Sequence, residues 1–268
     1  MALINDRIEI TVENHVAHVV LSRANKLNAL DFPMLEAIPK VGEQIRTNPE
    51  IRAVVLSSGE QGSNFCAGLD KGMFEAIADN RKVVLAERTH GIANVLQYVA
   101  WMWRELPVPV LVAIKGVALG GGLQIALAGD CRYAAPNSTF SILEMKWGLI
   151  PDMGSSQIMR HLVRDDIIRE LTYTARFFTA QEAKEWGFIT DIVEDPVAHA
   201  LGIARDIARK NPDAIRASKK VIEAANYQTK AVGLLMESTE QDKVIGRPNQ
   251  IEAVKAKLEN REPVFVDS

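Results

Sequence analysis

The amino-acid sequence predicts an α/β fold over roughly the first two hundred residues, followed by a tail that is nearly all helical. Short apolar runs rich in β-branched residues, such as Val110 to Ile114, alternate with longer segments of helical periodicity. After Pro196 the strand signals stop and only helical segments follow. A chain of 268 residues with 47% hydrophobic content is long enough for one substantial core.

The predicted elements follow the chain in this order. Strands are expected at Ile8–Glu13, Val16–Leu21 and Ala53–Ser57, and Asp31 is expected to cap a helix that runs to about Arg46 with Pro33 in its first turn. A helix from Arg81 to Leu106 should end at the prolines before the strand Val110–Ile114. Helices are then predicted over 170–175, 180–186, 196–210 and 212–225, and a short strand over 189–193. A last helix is predicted through Leu258, with Arg247, Lys255 and Lys257 exposed on it.

Composition excludes several classes of function. The net charge of −3 gives no general attraction to nucleic acid or to an anionic membrane. The two cysteines, Cys66 and Cys131, lack the spacing of metal ligands and indicate a reducing compartment, so neither a disulfide framework nor a metal site is expected. The N-terminus has no secretory pattern, and Lys115 and several glycines interrupt the most apolar run. A soluble cytoplasmic protein is the expectation.

The stretch from Pro107 to Gly154 contains the strongest functional signal. Gly120, Gly121 and Gly122 follow a buried strand and precede a helical run, 123–128. Glycines allow close approach of a ligand, and the first N–H groups of a helix lack partners within it, which suits a negatively charged or polarised oxygen. The spacing matches neither a P-loop nor a dinucleotide fingerprint. A tight turn without a ligand is the plainer alternative.

Two acids in this stretch lie in otherwise apolar or glycine-rich segments, Glu144 and Asp152. Each has a structural alternative, an ion pair for Glu144 and a helix N-cap for Asp152. A second glycine loop, containing residues 66–70, follows the strand at 53–57, where an open α/β sheet places its ligand sites. His15 and His18 are interpreted as hairpin residues, and His90 as a helical surface residue.

Several ordered motifs together resemble one known family. They are Arg23 with Asn28-Ala29-Leu30, the run 65–70 (FCAGLD), the run 116–122 (GVALGGG), Ala128-Gly129-Asp130, Glu144 with 148–151 (GLIP), and the late 258–265 segment. On these motifs the chain is identified as a member of the crotonase superfamily, the enoyl-CoA hydratase/isomerase family. The resemblance covers nearly the whole chain, and within the family the segments 144–152 and 170–176 are most similar to the dienoyl-CoA isomerases.

The resemblance implies a crotonase (ClpP/crotonase-like) fold of repeated ββα units with a C-terminal helical region. Residues 1–197 would form the core that binds acyl-CoA and performs catalysis, and 198–268 would serve trimerisation and active-site closure. The implied partner is an acyl-CoA substrate, with coenzyme A as part of that substrate and no separate cofactor. The implied assembly is a homotrimer or a dimer of trimers.

The family also implies roles for individual residues. The backbone N–H groups of Leu69 and Gly121 would hold the thioester oxygen, and Glu144 and Asp152 would transfer protons. Substrate binding would involve Arg23, Lys26, Cys66, Ala67, Gly68, Asp70, Gly120 and Gln124, with Lys255 or Lys257 reaching in from a neighbouring subunit. Ala24 replaces the family's usual proline in the basic segment.

One departure favours a particular reaction. Hydratases of the family hold water between two glutamates, and this chain has Gln124 at the first position and Glu144 at the second. Because an amide cannot take up a proton, a double-bond isomerase of Δ3-Δ2 or Δ3,5-Δ2,4 type is expected, with Glu144 as base and Asp152 as acid. The alternatives are a hydratase or an acyl-CoA hydrolase that uses Glu144 and Asp152. A non-catalytic CoA- or RNA-binding homologue is a further alternative.

Overall fold

A computed structural model of the chain describes residues 2–59, 64–73 and 85–267. The larger of its two sheets contains β1 (Ala2–Ile4), β2 (Ile8–Glu13), β3 (Val16–Leu21), β4 (Ala53–Ser58), β5 (Val110–Ile114), β7 (Cys131–Ala134) and β10 (Asp191–Ile192), in the spatial order β1-β2-β3-β4-β5-β7-β10. The pairs β1–β2 and β2–β3 are antiparallel, and every pair from β3 to β10 is parallel. A smaller sheet joins β6 (Val117–Leu119), β8 (Thr139–Ser141) and β9 (Phe178–Thr179).

The helices described in full fall into two groups. Those around the sheets are α1 (Phe32–Thr47), α2 (Val95–Glu105), α3 (Gly121–Leu127), α4 (Ser155–Met159), α5 (Asp165–Thr174), α6 (Ala180–Trp186) and α7 (Pro196–Ala208). The C-terminal group is α8 (Pro212–Ala225), α9 (Lys230–Val244) and α10 (Pro248–Leu258). Two short 3-10 helices, Ala24–Lys26 and Glu144–Trp147, flank the region where the glycine triplet lies.

Both faces of the larger sheet are covered. On one face the sheet packs in a core that includes residues of α1, α2 and α3. On the other face α7 presents a stripe of alanines spaced by four residues, Ala200, Ala204 and Ala208. Because β4 and β5 are buried on both faces, their sequences are continuous apolar or small runs rather than alternating ones.

Most of the predicted elements are confirmed at or within a few residues of their expected bounds. Asp31 caps α1, since its Oδ1 accepts a hydrogen bond from the Met34 N–H at 3.0 Å. The strands β1, β6, β7, β8 and β9 and the helix α4 were not predicted. Each contains two to five residues, too few to show a periodicity.

The predicted helix from Arg81 to Leu106 is wrong in its first part. Residues 81–84 lie outside the described residues, 85–94 form turns and bridges, and the helix begins only at Val95. Gly91 has a φ of +61°, which a helix does not accommodate, and Asn94 forms a capping box with Gln97. His90 therefore lies before the helix and not on it, with its ring stacked on Tyr98 at 4.7 Å.

The last predicted helix is also interrupted, because Ile245 to Arg247 separate α9 from α10. Gly246 has a φ of +72° and Pro248 starts the next helix, a combination typical of a helix end and a new start. The exposure predicted for Arg247, Lys255 and Lys257 is confirmed. Asp152 is not an N-cap, since α4 begins three residues later and Gly154 occupies its cap position.

Partly buried ion pairs attach the C-terminal helices to the core. Lys219 of α8 is 9% exposed and contacts Asp130 at 2.8 Å, and its Nζ also donates to the Val108 carbonyl at 2.9 Å. Arg104 of α2 pairs with Glu223 of α8. The predicted division at 197/198 falls inside α7, and the functional division of the chain stays a prediction. In the part of the chain that the structure describes, no helix combines the length and apolar character of a membrane span.

Candidate active site

A cavity of about 730 Å³ lies beside the N-terminus of α3. It is lined by the loop at 67–71, the segment 25–29, the glycine turn and the segment 143–153, together with Leu35, Leu85 and Leu96. Its wall is mostly apolar, and its charged lining residues are Lys26, Asp70, Lys71, Glu144 and Asp152. The two stretches that stood out in the sequence therefore meet at one cavity.

Each glycine of the triplet stands where a side chain would collide. Gly120 has a φ of +49°, and a Cβ there would lie 3.3 Å from Oε1 of Glu144. A Cβ on Gly121 would lie 2.9 Å from the Met153 sulfur, and one on Gly122 would lie 2.4 Å from the Cys66 carbonyl oxygen. The triplet therefore brings α3 into close contact with the 66–68 loop on one side and with Glu144 on the other.

The predicted N–H donors, Leu69 and Gly121, belong to two segments that lie side by side at the cavity. Leu30 and Leu69 form a parallel β-bridge. The Leu30 N–H donates to the Gly68 carbonyl, and the Leu30 carbonyl accepts from the Asp70 N–H. In such a bridge the N–H of Leu69 points away from Leu30. Gly121 is the first residue of α3, so its N–H has no acceptor within the helix. A Cβ built on Gly68 would lie 3.6 Å from the Gly121 nitrogen, so the two segments are immediate neighbours.

Glu144 presents one bonded and one unbonded carboxylate oxygen. Its Oε1 accepts a hydrogen bond of 2.6 Å from Nε2 of Gln124, a side chain that is 3% exposed. Its Oε2 is buried and has no hydrogen-bond partner among the described residues. Burial raises the pKa of Glu144, an effect that the bond from Gln124 and nearby backbone N–H groups oppose. No ion pair of the kind considered from the sequence involves Glu144 in the described part of the chain.

Asp152 lines the same cavity and is coupled to Glu144. Burial raises the pKa of its carboxyl group, and its charge in turn raises the pKa of Glu144. Two carboxyl groups that interact in a low-dielectric site release their protons in separate steps. Both pKa values are thus shifted toward the protonated form, which is typical of carboxyl groups that exchange protons with a substrate.

The predicted substrate-binding residues lie in different environments. Lys26, Ala67, Gly68, Asp70, Gly120 and Gln124 line the cavity. Arg23 is not among the lining residues; it donates to Asp70 at 2.6 Å and contacts Asp31 at 3.2 Å. Cys66 is fully buried, donates its thiol to the Asn28 carbonyl at 3.0 Å, and has its pKa raised by burial to about 12. The binding roles of Arg23, Cys66, Lys255 and Lys257 stay predictions.

Sequence reasoning missed the backbone of Met153 and the apolar wall formed by Trp147, Leu149 and Ile150. The Met153 N–H donates to Oε1 of Gln124 at 2.8 Å across 29 positions of the chain. The signal available in the sequence for the wall was the cluster of apolar residues after Glu144, which the structure leaves exposed. No residue pattern could have revealed the Met153 bond.

Comparison with known proteins identifies the family of the chain. The sequence profile of the enoyl-CoA hydratase/isomerase family matches residues 11–268. The chain belongs to that family. It is 33% identical over 264 residues to the Bacillus subtilis (strain 168) protein YngF, named for the same family, which covers 97% of this chain and 98% of YngF. It is 27% identical over 261 residues to a peroxisomal Delta(3,5)-Delta(2,4)-dienoyl-CoA isomerase of Arabidopsis thaliana, covering 94% and 93% of the two chains.

A solved structure gives the same result at the level of the fold. The crystal structure of an enoyl-CoA hydratase from Bacillus anthracis superposes with a TM-score of 0.86 at 30% identity, covering 98% of this chain and 100% of that one. The crotonase fold expected from the sequence is therefore confirmed, with its mixed α/β core and C-terminal helices. This family member is accordingly an acyl-CoA hydratase/isomerase enzyme in the broad sense.

Proposed function

We propose that this family member is an acyl-CoA double-bond isomerase of Δ3-Δ2 or Δ3,5-Δ2,4 type. The observation that carries the proposal is the environment of Glu144. Its Oε1 is held by the amide of Gln124, a group that cannot accept a proton, and its Oε2 is buried without a partner beside the cavity. With Asp152 on the same wall, the site offers one base and one acid without a glutamate pair to hold water.

The N–H groups of Leu69 and Gly121 would receive the thioester carbonyl oxygen. Removing a proton from C2 of an acyl thioester places negative charge on that oxygen, and two fixed donors stabilise the enolate without reorganising. The contact of Gly68 with the start of α3 supports a shared location for the two donors. Lys26 lines the same cavity and would contribute a cation to the binding of the coenzyme A portion, as predicted.

The two carboxyl groups account for both proton transfers of the proposed reaction. Glu144 removes a proton from C2 of a 3,5-dienoyl thioester, and the electrons delocalise along the chain to the thioester oxygen. A proton from Asp152 then reaches C6, which leaves double bonds at C2 and C4. For a 3-enoyl substrate, the proton returns at C4 instead. Exchange of one proton between the two acids restores the starting state.

Isomerisation of 3,5-dienoyl-CoA by the purified enzyme tests this proposal. We expect diene absorbance to change with wild-type enzyme and the rate to fall at least about a hundredfold in Glu144→Gln, since the general base is lost. Asp152→Asn should be impaired with 3,5-dienoyl-CoA more than with 3-enoyl-CoA, because the shorter shift can be completed by Glu144 alone. A wild-type enzyme without activity on either substrate would refute the proposal.

Hydration of trans-2-enoyl-CoA is the second candidate. It is supported by the two acids on one wall and by a relative such as the mouse protein named methylglutaconyl-CoA hydratase, which is 30% identical over 251 residues. In this reading Asp152 takes the place of the missing glutamate and, with Glu144, holds the attacking water. A hydration rate that exceeds the isomerisation rate would favour this candidate. Release of free coenzyme A would indicate the hydrolase alternative.

The exposed apolar side chains of the C-terminal helices support assembly into a homotrimer or a dimer of trimers. Large apolar residues of this region are at least half exposed, namely Ile222, Leu234, Leu235, Ile251, Val254 and Leu258. Such a surface is typical of one that a partner covers. Light scattering coupled to size-exclusion chromatography should give three or six times the mass of one chain, and a monomer would contradict this part of the proposal.

A further inference from the structure

Gln124 makes two hydrogen bonds that connect the segments carrying Glu144 and Asp152. Its Oε1 accepts from the N–H of Met153, the residue directly after Asp152, and its Nε2 donates to Glu144. A backbone N–H can only donate, so the amide atom that faces Met153 must be oxygen. This fixes the direction of the amide and leaves its nitrogen on the side of Glu144.

The bonds made by this amide are unequal for the two acids. A donor stabilises the ionised form of the carboxylate that it contacts, and of the two acids Gln124 Nε2 donates to Glu144. Asp152 gains no side-chain donor among the described residues, and only its own backbone N–H opposes the effect of burial on it. The bond from Gln124 therefore favours the ionised form of Glu144 and has no counterpart at Asp152.

We infer that Gln124 is a positioning residue that prepares Glu144 to act as the base in the proposed isomerisation. It holds Glu144 through Oε1, favours the ionised form of that carboxyl group, and is itself fixed by the Met153 N–H. The inference rests on the proposed function and specifies how its base is held.

The other charged residues near Glu144 do not distinguish Glu144 from Asp152 in the way that Gln124 does. Those on the cavity wall are Lys26, Asp70 and Lys71, and Asp70 is bound to Arg23. Helix α5 packs against the 144–147 helix, and its charged residues Asp165, Asp166, Arg169 and Glu170 are exposed and ion-paired. The helices α3 and α4 carry no charged side chain.

Two variants separate positioning from simple structural support. Gln124→Met keeps the volume of the side chain and removes both hydrogen bonds. Gln124→Glu keeps both bonds only while its new carboxyl group is protonated, because a neutral carboxyl group can accept from Met153 and donate to Glu144. Gln157→Met is the matched control, since Gln157 is exposed on α4 and its described hydrogen bond is to its neighbour Ser156.

The first readout is titration of the Glu144 carboxyl group by 13C NMR of glutamate-labelled protein, with Glu144→Gln used for assignment. We expect Glu144 to titrate at higher pH in Gln124→Met than in wild type, and unchanged in Gln157→Met. An unchanged titration of Glu144 in folded Gln124→Met would overturn the inference. This readout needs no substrate, so it distinguishes failure of the inference from failure of the proposed function.

The second readout is the pH profile of isomerisation. In Gln124→Met, kcat should fall by about ten- to a hundredfold with KM nearly unchanged, and the acid limb of kcat/KM should move to higher pH. Gln124→Glu should recover activity at low pH and lose it as the 124/144 pair loses its shared proton. A Gln124→Glu profile parallel to that of Gln124→Met would contradict the assignment even if both variants fold.

Discussion

Replacing Gly122 by alanine tests how closely α3 must approach the 66–68 loop. The new Cβ would lie 2.4 Å from the carbonyl oxygen of Cys66 and 2.7 Å from its Cβ. Both atoms are held by their surroundings, since Cys66 pairs with β6 through its own N–H and carbonyl. The contact cannot be relieved by a side-chain rotation, so the helix and the loop must separate.

The size of the effect follows from that geometry. Restoring an ordinary contact of 3.4 Å requires a separation of about 1 Å. Overpacking of this kind costs about 1–3 kcal/mol in the free energy of unfolding. Because the displacement moves Gly121 relative to Leu69, we expect kcat to fall by about a hundredfold, the typical cost of a misplaced catalytic group.

Gly202→Ala is the matched control, because Gly202 lies in α7 and a Cβ there meets no atom within 4 Å. Alanine should stabilise that helix by up to about 1 kcal/mol and leave activity unchanged. Chemical denaturation and isomerisation kinetics of both variants measure the two quantities. A Gly122→Ala enzyme with wild-type kcat and wild-type stability would refute the argument that the two N–H groups depend on this contact.

Three further predictions concern titration and burial. Burial raises the pKa of Glu144 above its value in the unfolded chain, so the stability that this carboxyl group contributes is lost as pH rises through that interval. The thermal unfolding temperature of wild type should therefore fall relative to that of Glu144→Gln as pH rises, and parallel pH dependences would contradict this. Burial raises the pKa of Cys66 to about 12, so mass spectrometry should find it unmodified after iodoacetamide treatment of native protein at pH 8, and alkylation there would show the thiol to be accessible. Asp267→Asn should lower the free energy of unfolding by about 2–3 kcal/mol, since Arg52 is 7% exposed and bonds Asp267 at 2.7 Å, whereas Arg164→Met at an exposed pair should leave it nearly unchanged.

The sequence was most informative where one physical signal dominated. The runs at 110–114 and 53–58 are buried on both faces, and a continuous apolar run is the direct mark of that environment. Capping residues such as Asp31 fixed helix starts, because a side-chain oxygen next to the first turn has a local effect. The helix expected from Arg81 failed where Gly91 and Asn94 disrupted an otherwise helical composition.

The candidate site was predictable in its members but not in their connections. The glycine triplet, Glu144 and Asp152 stood out as residue types in unusual surroundings, and the structure brings them to one cavity. The direction of the Gln124 amide depends on a backbone N–H 29 positions away, and the bonds of Arg23 depend on where Asp70 lies in three dimensions. Such contacts arise from tertiary packing, which local sequence patterns do not encode.

The buried ammonium of Lys219 has a consequence for the far end of α3. That helix has seven residues and is therefore only about 10 Å long. Asp130, three residues beyond its end, is held by Lys219 and by the Val110 N–H at 2.7 Å. The C-terminal helices are thus bonded to the segment at one end of a short helix whose first residue, Gly121, lines the cavity. A displacement of α8 would change the contacts of that segment at a distance from the cavity itself.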